Sequence, residues 1–512
     1  MNGLTDNFLF SLFSLSFLAG IVMLLIPAKK RFLPQKVAFY LSLPITIVAI
    51  VAFVLFRTGS LPALFSSSVP FGVSLDLQIC LGADNFSMMM ILFAALFMPI
   101  AVLISRHAKR MDRFFYSCLF FAQTSLIGLF SAEDLFSFFF FWQMSAFPVF
   151  FFSGIWGRQN RISASSKFIV FHFLSSLLFF IGILYIAENA HYLTGKWSVA
   201  FKDIASAGLG REAQLYSFVF LASSFALRIP FFPFHKWFTS LVSENQPAGN
   251  IIMASLFVPS GLYAFIKIVI PLLPLGTTVF VPYLPYLLAA GCLYCSLMAL
   301  AATSLSSMIA YLLSMNFTLV FLGIMSNIPA SHWPAVYHIS GISIIAAAIF
   351  SLTGALESRT KTVELSDIKS VSLSEPRFAS MLLIAFFSMA GIPCFCGFAG
   401  IYGILSGMFA TMPALSGLAL SGIILSFISC MNALGRIIRF NRMEPASDSK
   451  KDNSLTRRGN DAALPMSDLN KNEFYVILPL SLLLIFAGMM PGLFSKTFLP
   501  EACEAIAGET NG

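Results

Sequence analysis

Arg228 is the residue with the most chemical consequence, because it stands in an apolar run, where a charge is costly and ordinarily faces a cavity or an acidic partner. Its guanidinium stays protonated, so it can bias a field or hold an anion but cannot readily pass a proton; anchoring by an ion pair or by carbonyls is the structural alternative. His172 is a candidate proton carrier, since imidazole titrates near neutrality, although a buried histidine also serves as a satisfied core residue. Gln143, read as buried, can hydrogen-bond but cannot relay charge. Lys167 could snorkel to the surface or line an entry path. His235 and His338 are weaker candidates. Glu133 and Asp134 read as charges at the N-terminus of a helix, at the outer surface.

These residues sit in a chain of 512 amino acids, 58% apolar, 11% charged and with a mean hydropathy of +0.85. Soluble domains are about 25% charged, so this chain cannot cover a globule of its own size with polar surface and must sit in a bilayer. The composition excludes disordered, collagenous and disulfide-framework classes. The formal charge of +8 does not signal a nucleic-acid partner, because the Lys and Arg fall into loops between apolar runs. The eight cysteines lie mostly inside apolar runs. Cys292-Leu-Tyr-Cys295 and Cys394-Phe-Cys396 have no His or acidic ligand nearby in sequence, so they read as core thiols and no metal or other cofactor is expected. No signal-peptide pattern marks the first run, which reads as a span that stays attached.

Apolar runs of about 20 residues, long enough to cross the hydrocarbon as helix, fall near 8–27, 37–56, 86–105, 114–131, 135–156, 167–187, 215–234, 250–273, 284–302, 308–326, 334–354, 378–409, 413–435 and 474–495. The fold class is thus an all-α polytopic membrane protein with about fourteen transmembrane helices. Alternate loops hold 24 of the 31 Lys and Arg, the opposite set holds five, and Arg228 and Lys267 lie within spans. Positive charge stays inside, so both termini are expected outside. The polar stretch 441–472 reads as a flexible inside loop, and 357–377 as a solvated connection or interfacial helix.

Two spans carry the same interruption. Phe225-Ala-Leu-Arg-Ile-Pro230-Phe-Phe-Pro-Phe-His235 and Ser388-Met-Ala-Gly-Ile-Pro393-Cys-Phe-Cys-Gly-Phe398 each place Ile-Pro inside an apolar helix. Proline removes a backbone donor and clashes with the preceding turn, so the seventh and twelfth helices should be kinked or discontinuous at Pro230 and Pro393. Paired broken helices in two halves are a pointer to a transport pathway near the midplane.

At these segments the chain resembles the antiporter-like membrane subunits shared by respiratory complex I (NADH:quinone oxidoreductase), Mrp-type cation/proton antiporters and membrane-bound hydrogenases. The resemblance rests on Asp84-Asn-Phe-Ser, Phe138 to Pro148, Phe225 to Trp237 with Pro247-Ala-Gly249, Ile309-Ala-Tyr311, Gly354-Ala-Leu and Gly391-Ile-Pro with Phe398-Ala-Gly400, over roughly residues 80–440. It implies two inverted five-helix repeats and broken helices seven and twelve. The domains expected are N-terminal helices 1–3 (1–113), a first repeat (114–273), a second repeat (284–440), a cytoplasmic loop (441–472), and a last helix with its tail (473–512).

The resemblance also implies charges that this chain lacks. The family's Glu–Lys pair falls on Gln143 and Arg228, its central lysine on Pro259, and its twelfth-helix charge on Ile401. Its cluster before the tenth helix falls on Ser304 to Ser307, its histidine after Ala-Tyr on Asn316, and its eleventh-helix histidine on Ser340, two residues from His338. Arg228, Gln143, His172, Lys167, His235, His338 and Asn316 are the candidate ion-pathway residues. The expected function is that of an integral inner-membrane subunit of a multi-subunit ion-translocating complex. Proton or cation movement would be coupled to partner membrane subunits, which would carry any redox chemistry. The alternative is a diverged, non-pumping scaffold for a partner transporter, for example of inorganic carbon.

Overall fold

The computed structural model of the protein describes residues 8–27, 33–58, 66–70, 78–105, 112–360, 362, 364–365, 376–438 and 468–498. Its long helices in chain order are α1 Phe8–Leu25, α2 Leu33–Arg57, α3 Asn85–Ile104, α4 Arg113–Ser131, α5 Leu135–Gly154 and α6 Arg161–Thr194. A short α7 Phe201–Ser206 leads to α8 Arg211–Arg228, α9 Lys236–Glu244, α10 Pro247–Leu272 and the short α11 Pro274–Phe280. The second half runs α12 Leu284–Ala301, α13 Leu305–Met325, α14 Pro329–Thr360, α15 Pro376–Ala390, α16 Cys396–Phe409, α17 Pro413–Ile437, α18 Lys471–Met489 and α19 Pro491–Phe498. Eleven of the described helices are long and apolar enough to cross a bilayer, and α15, α16 and residues 473–489 of α18 are shorter apolar helices. The chain is a multi-pass membrane protein.

Acidic and hydroxyl side chains start several of these helices by accepting the amide protons that the first turn leaves unpaired. Asp84 accepts from Ser87 N before α3, Asp112 from Phe115 N before α4, Asp134 from Ser137 N before α5, and Ser304 from Ser307 N before α13. Asp134 caps as its position predicts, but it is 2% exposed rather than at the surface. A hairpin covers it: β1 (Ser66–Pro70) pairs antiparallel with β2 (Gln78–Gly82), and Cys80 N donates to Asp134 Oδ2. This hairpin is a small departure from an all-helical reading. Before α18, Asn470 and Glu473 form a reciprocal capping box at the end of the predicted inside loop. The rest of 441–467, like the tail beyond Phe498, lies outside the described residues. Helix α14 extends to Thr360, so residues 357–360 continue that helix, and of the rest of the predicted connection or interfacial helix 361, 363 and 366–375 lie outside the described residues.

Helices α4, α10, α13 and α14 are buried on nearly all sides, whereas α1, α2 and α6 present broad apolar faces outward. A helix apolar all round can take either place in a membrane protein, so only the packing separates the two groups.

The two Ile-Pro segments lie where the chain leaves helical geometry. After Arg228, Ile229 turns extended and helix resumes at Lys236. After Ala390, Gly391 takes φ +73°; its N–H donates to Ser388 O, and Ile392 N–H donates to Phe387 O. Those two bonds satisfy carbonyls that the helix end would orphan, and the left-handed residue they need is easily supplied by glycine. The following half-helix α16 then crosses closely: an added Cβ at Gly397 would lie 1.9 Å from Ser388 O.

Candidate functional site

Arg228 is the last residue of α8 and is 3% exposed. Its position follows from the break. The C-terminal carbonyls of a helix carry partial negative charge, which favours a cation at this end. Nη1 donates to Ser260 Oγ of α10 at 2.9 Å and Nη2 to Trp142 O of α5 at 3.0 Å. The guanidinium carbon lies 3.2 Å from the Trp142 ring centroid and 4.0 Å from that of Phe257, so the group is held between two aromatic faces. Among the described residues it has no carboxylate partner, and its Nε has no acceptor.

Gln143, next to Trp142, does not bond to Arg228. Its Oε1 accepts from Ser176 Oγ of α6 at 2.6 Å, and the side chain is half-buried, not buried as expected from sequence. Consecutive helical residues point about 100° apart, so Trp142 can face Arg228 while Gln143 faces α6. His172 is half-buried, stacks on Phe168, and lines one small cavity with Arg228. Lys167 lies apart: it is exposed on α6, with Nζ 3.3 Å from Ser240 Oγ. His235, at the start of α9, is buried between Tyr294 and Tyr311, and neither ring nitrogen has a partner among the described residues.

A second polar centre lies beside the break that contains Pro393. His338 of α14 is 0% exposed and its Nε2 lies 3.1 Å from Asn316 Oδ1 of α13; the amide Nδ2 donates back to Leu312 O. The imidazole sits against α16, where an added Cβ at Gly400 would lie 2.4 Å from His338 Nδ1. Gly400→Ala should therefore push the ring off Asn316 and destabilise the protein by about 1–3 kcal/mol, the usual range for an overpacked core. Thermal melting in detergent reads this, and an unchanged midpoint would mean that the ring has room to move.

Sequence reasoning missed a third group. Lys267 of α10 pairs with Asp84 at 2.5 Å, beside Tyr263, whose hydroxyl lies 2.8 Å from Ser87 Oγ and donates to Phe130 O at 3.0 Å. Burial acts to raise the Asp84 carboxyl, but Lys267 and the Ser87 N–H outweigh it and hold the group below its ordinary range. The signal was present, since Lys267 is a charge inside an apolar span; its partner 183 residues away was not legible. A further contact that sequence reasoning missed is Arg158 to Glu357, 2.7 Å to each carboxylate oxygen, which ties the α5–α6 turn to the end of α14. Where family resemblance implies further charges, Pro259 and Ile401 are buried, Ser304 caps α13, and Ser340 Oγ donates to Tyr337 O. No cluster of three or more His, Cys, Asp or Glu that could hold a metal occurs among the described residues, and the seven described cysteines are free thiols.

A polytopic bundle whose helices give way at two proline breaks, each beside a buried polar centre, defines a class of transport-type membrane protein. Residues 132–429 match the model of the NADH:quinone oxidoreductase/Mrp antiporter transmembrane family, and the chain belongs to that family. It is 26% identical over 425 residues to the NADH-quinone oxidoreductase subunit M of Rickettsia conorii, covering 83% of this chain and 82% of that one. In fold it is similar to a chain of the respiratory complex I of Thermus thermophilus with bound NADH (TM-score 0.83, 24% identity, 98% of this chain and 99% of that one). It is also similar to a chain of the Mrp complex from a Dietzia species (TM-score 0.80, 18% identity, 99% and 98%).

Proposed function

We propose that this chain is an integral inner-membrane subunit of a complex I-like or Mrp-like assembly and contributes to moving protons or another cation across the bilayer. Family membership over residues 132–429, from the start of α5 into α17, is the observation that carries this reading. In it the chain crosses fourteen times with both termini outside, α8 and α9 form one broken span, and α15 and α16 form the other. Residues 114–273 and 284–440 are the two inverted repeats. The coupling reaction belongs to partner subunits, and Arg228, His172, His338 and Asn316 lie along the path. Lys167, outside the cavity that holds Arg228, serves the inner entrance.

One observation favours a second reading, a non-pumping scaffold. Where the family resemblance puts an acid–lysine pair, Gln143 bonds to Ser176 and Arg228 bonds to neutral groups. Extraction of the chain from its native membrane in mild detergent, followed by mass spectrometry of what accompanies it, tests membership. Co-purifying dehydrogenase, hydrogenase or small antiporter subunits are the expected result; a single unrelated soluble partner, or none, overturns it.

A further inference from the structure

Two of the hydrogen-bond donors that line the cavity beside Arg228 lack acceptors, while the Ser175 hydroxyl in its wall donates to Ser224 O. Phe168, His172, Leu227, Trp237 and Phe257 wall it together with the guanidinium. Arg228 Nε–H is buried and unpartnered, and so are the indole N–H of Trp237, which lines the cavity, and of Trp142, against which the guanidinium stacks. A cation with no carboxylate partner in a bilayer interior is expensive, and a buried donor without an acceptor costs about 1–3 kcal/mol more. One kind of guest relieves both costs.

We propose that this cavity is a binding site for a small, weakly hydrated monovalent anion of the halide class. Arg228 supplies the charge and its Nε–H, Trp237 and His172 supply further N–H donors, and the aromatic walls supply the dry surround. The pocket has room for about one water-sized guest, which suits a monatomic anion better than a tetrahedral oxyanion such as phosphate or sulfate. The walls also disfavour divalent oxyanions, whose dehydration they could not repay. A water molecule is the competing occupant; it can accept from at most two of these donors and leaves the charge uncompensated.

The test is a bromide titration of intrinsic tryptophan fluorescence in the purified full-length chain, at ionic strength fixed with gluconate. Trp142 and Trp237 border Arg228, whereas Trp197 is 70% exposed and gives a collisional background, so Trp197→Phe is used throughout. The expected result is a saturable quenching component, together with a chloride-dependent rise in melting temperature over gluconate, as ligand binding to the folded state requires. Arg228→Met should remove both. If that variant does not fold, Leu227→Phe, which fills the cavity and keeps the guanidinium, should remove both instead. Strictly linear quenching with no chloride-specific stabilisation, or a saturable component that survives in the folded variant, overturns the proposal. The assay needs no partner subunit, so its outcome is independent of complex membership.

Discussion

Gly397→Ala is expected to destabilise the folded protein by about 3 kcal/mol or more, because the new methyl has nowhere to go. Its Cβ would lie 1.9 Å from Ser388 O and 3.0 Å from Ser388 C, so the obstruction is backbone. A flexible side chain could rotate aside. Here the half-helices α15 and α16 would have to separate, which would strain the paired carbonyl bonds at Gly391 and Ile392. The same substitution at Gly417 of α17, where an added Cβ meets nothing within 4 Å, should be neutral or stabilise by up to about 1 kcal/mol through helix propensity. The measurement is melting temperature and monodispersity after detergent extraction. Equal behaviour of the two variants would show that the close crossing at Gly397 is not needed.

Arg228→Ala is expected to lower ion flux through the reconstituted native assembly at least tenfold, which corresponds to about 1.4 kcal/mol of lost field bias. Assembly itself should survive, since the substitution removes a costly charge from the membrane interior along with its two hydrogen bonds. Arg228→Lys should not restore flux. A guanidinium can bridge Ser260 Oγ and Trp142 O while lying flat between two rings, whereas an ammonium is a compact point donor without a planar face. Flux is read as pH or cation movement in proteoliposomes. Full flux in a correctly assembled Arg228→Ala complex would favour the scaffold reading.

Much of the architecture was legible in the sequence because a bilayer imposes a single length on every crossing. The apolar runs near 86–105, 284–302, 308–326 and 413–435 match α3, α12, α13 and α17 to within a few residues. The seventh apolar run continues to 234, but helix ends at Arg228, since an Ile-Pro step cannot continue the hydrogen-bond ladder. Helices α6 and α14 extend well past the predicted runs, because polar residues prolong a helix beyond the hydrocarbon where composition gives no signal.

The sequence by itself determined that the chain spans a membrane many times and that Pro230 and Pro393 fall inside two of its apolar runs. These are local properties of hydropathy and backbone donors. Only the tertiary structure decided which polar side chains meet: Gln143 with Ser176 and not Arg228, His338 with Asn316, and Lys267 with Asp84. Those pairings depend on the rotation of each helix about its axis, and a helix apolar on every face carries no periodic signal to fix that rotation. Packing of rings and glycines across the bundle fixes it instead, leaving Arg228 enclosed by Trp142 and Phe257 and facing no carboxylate among the described residues.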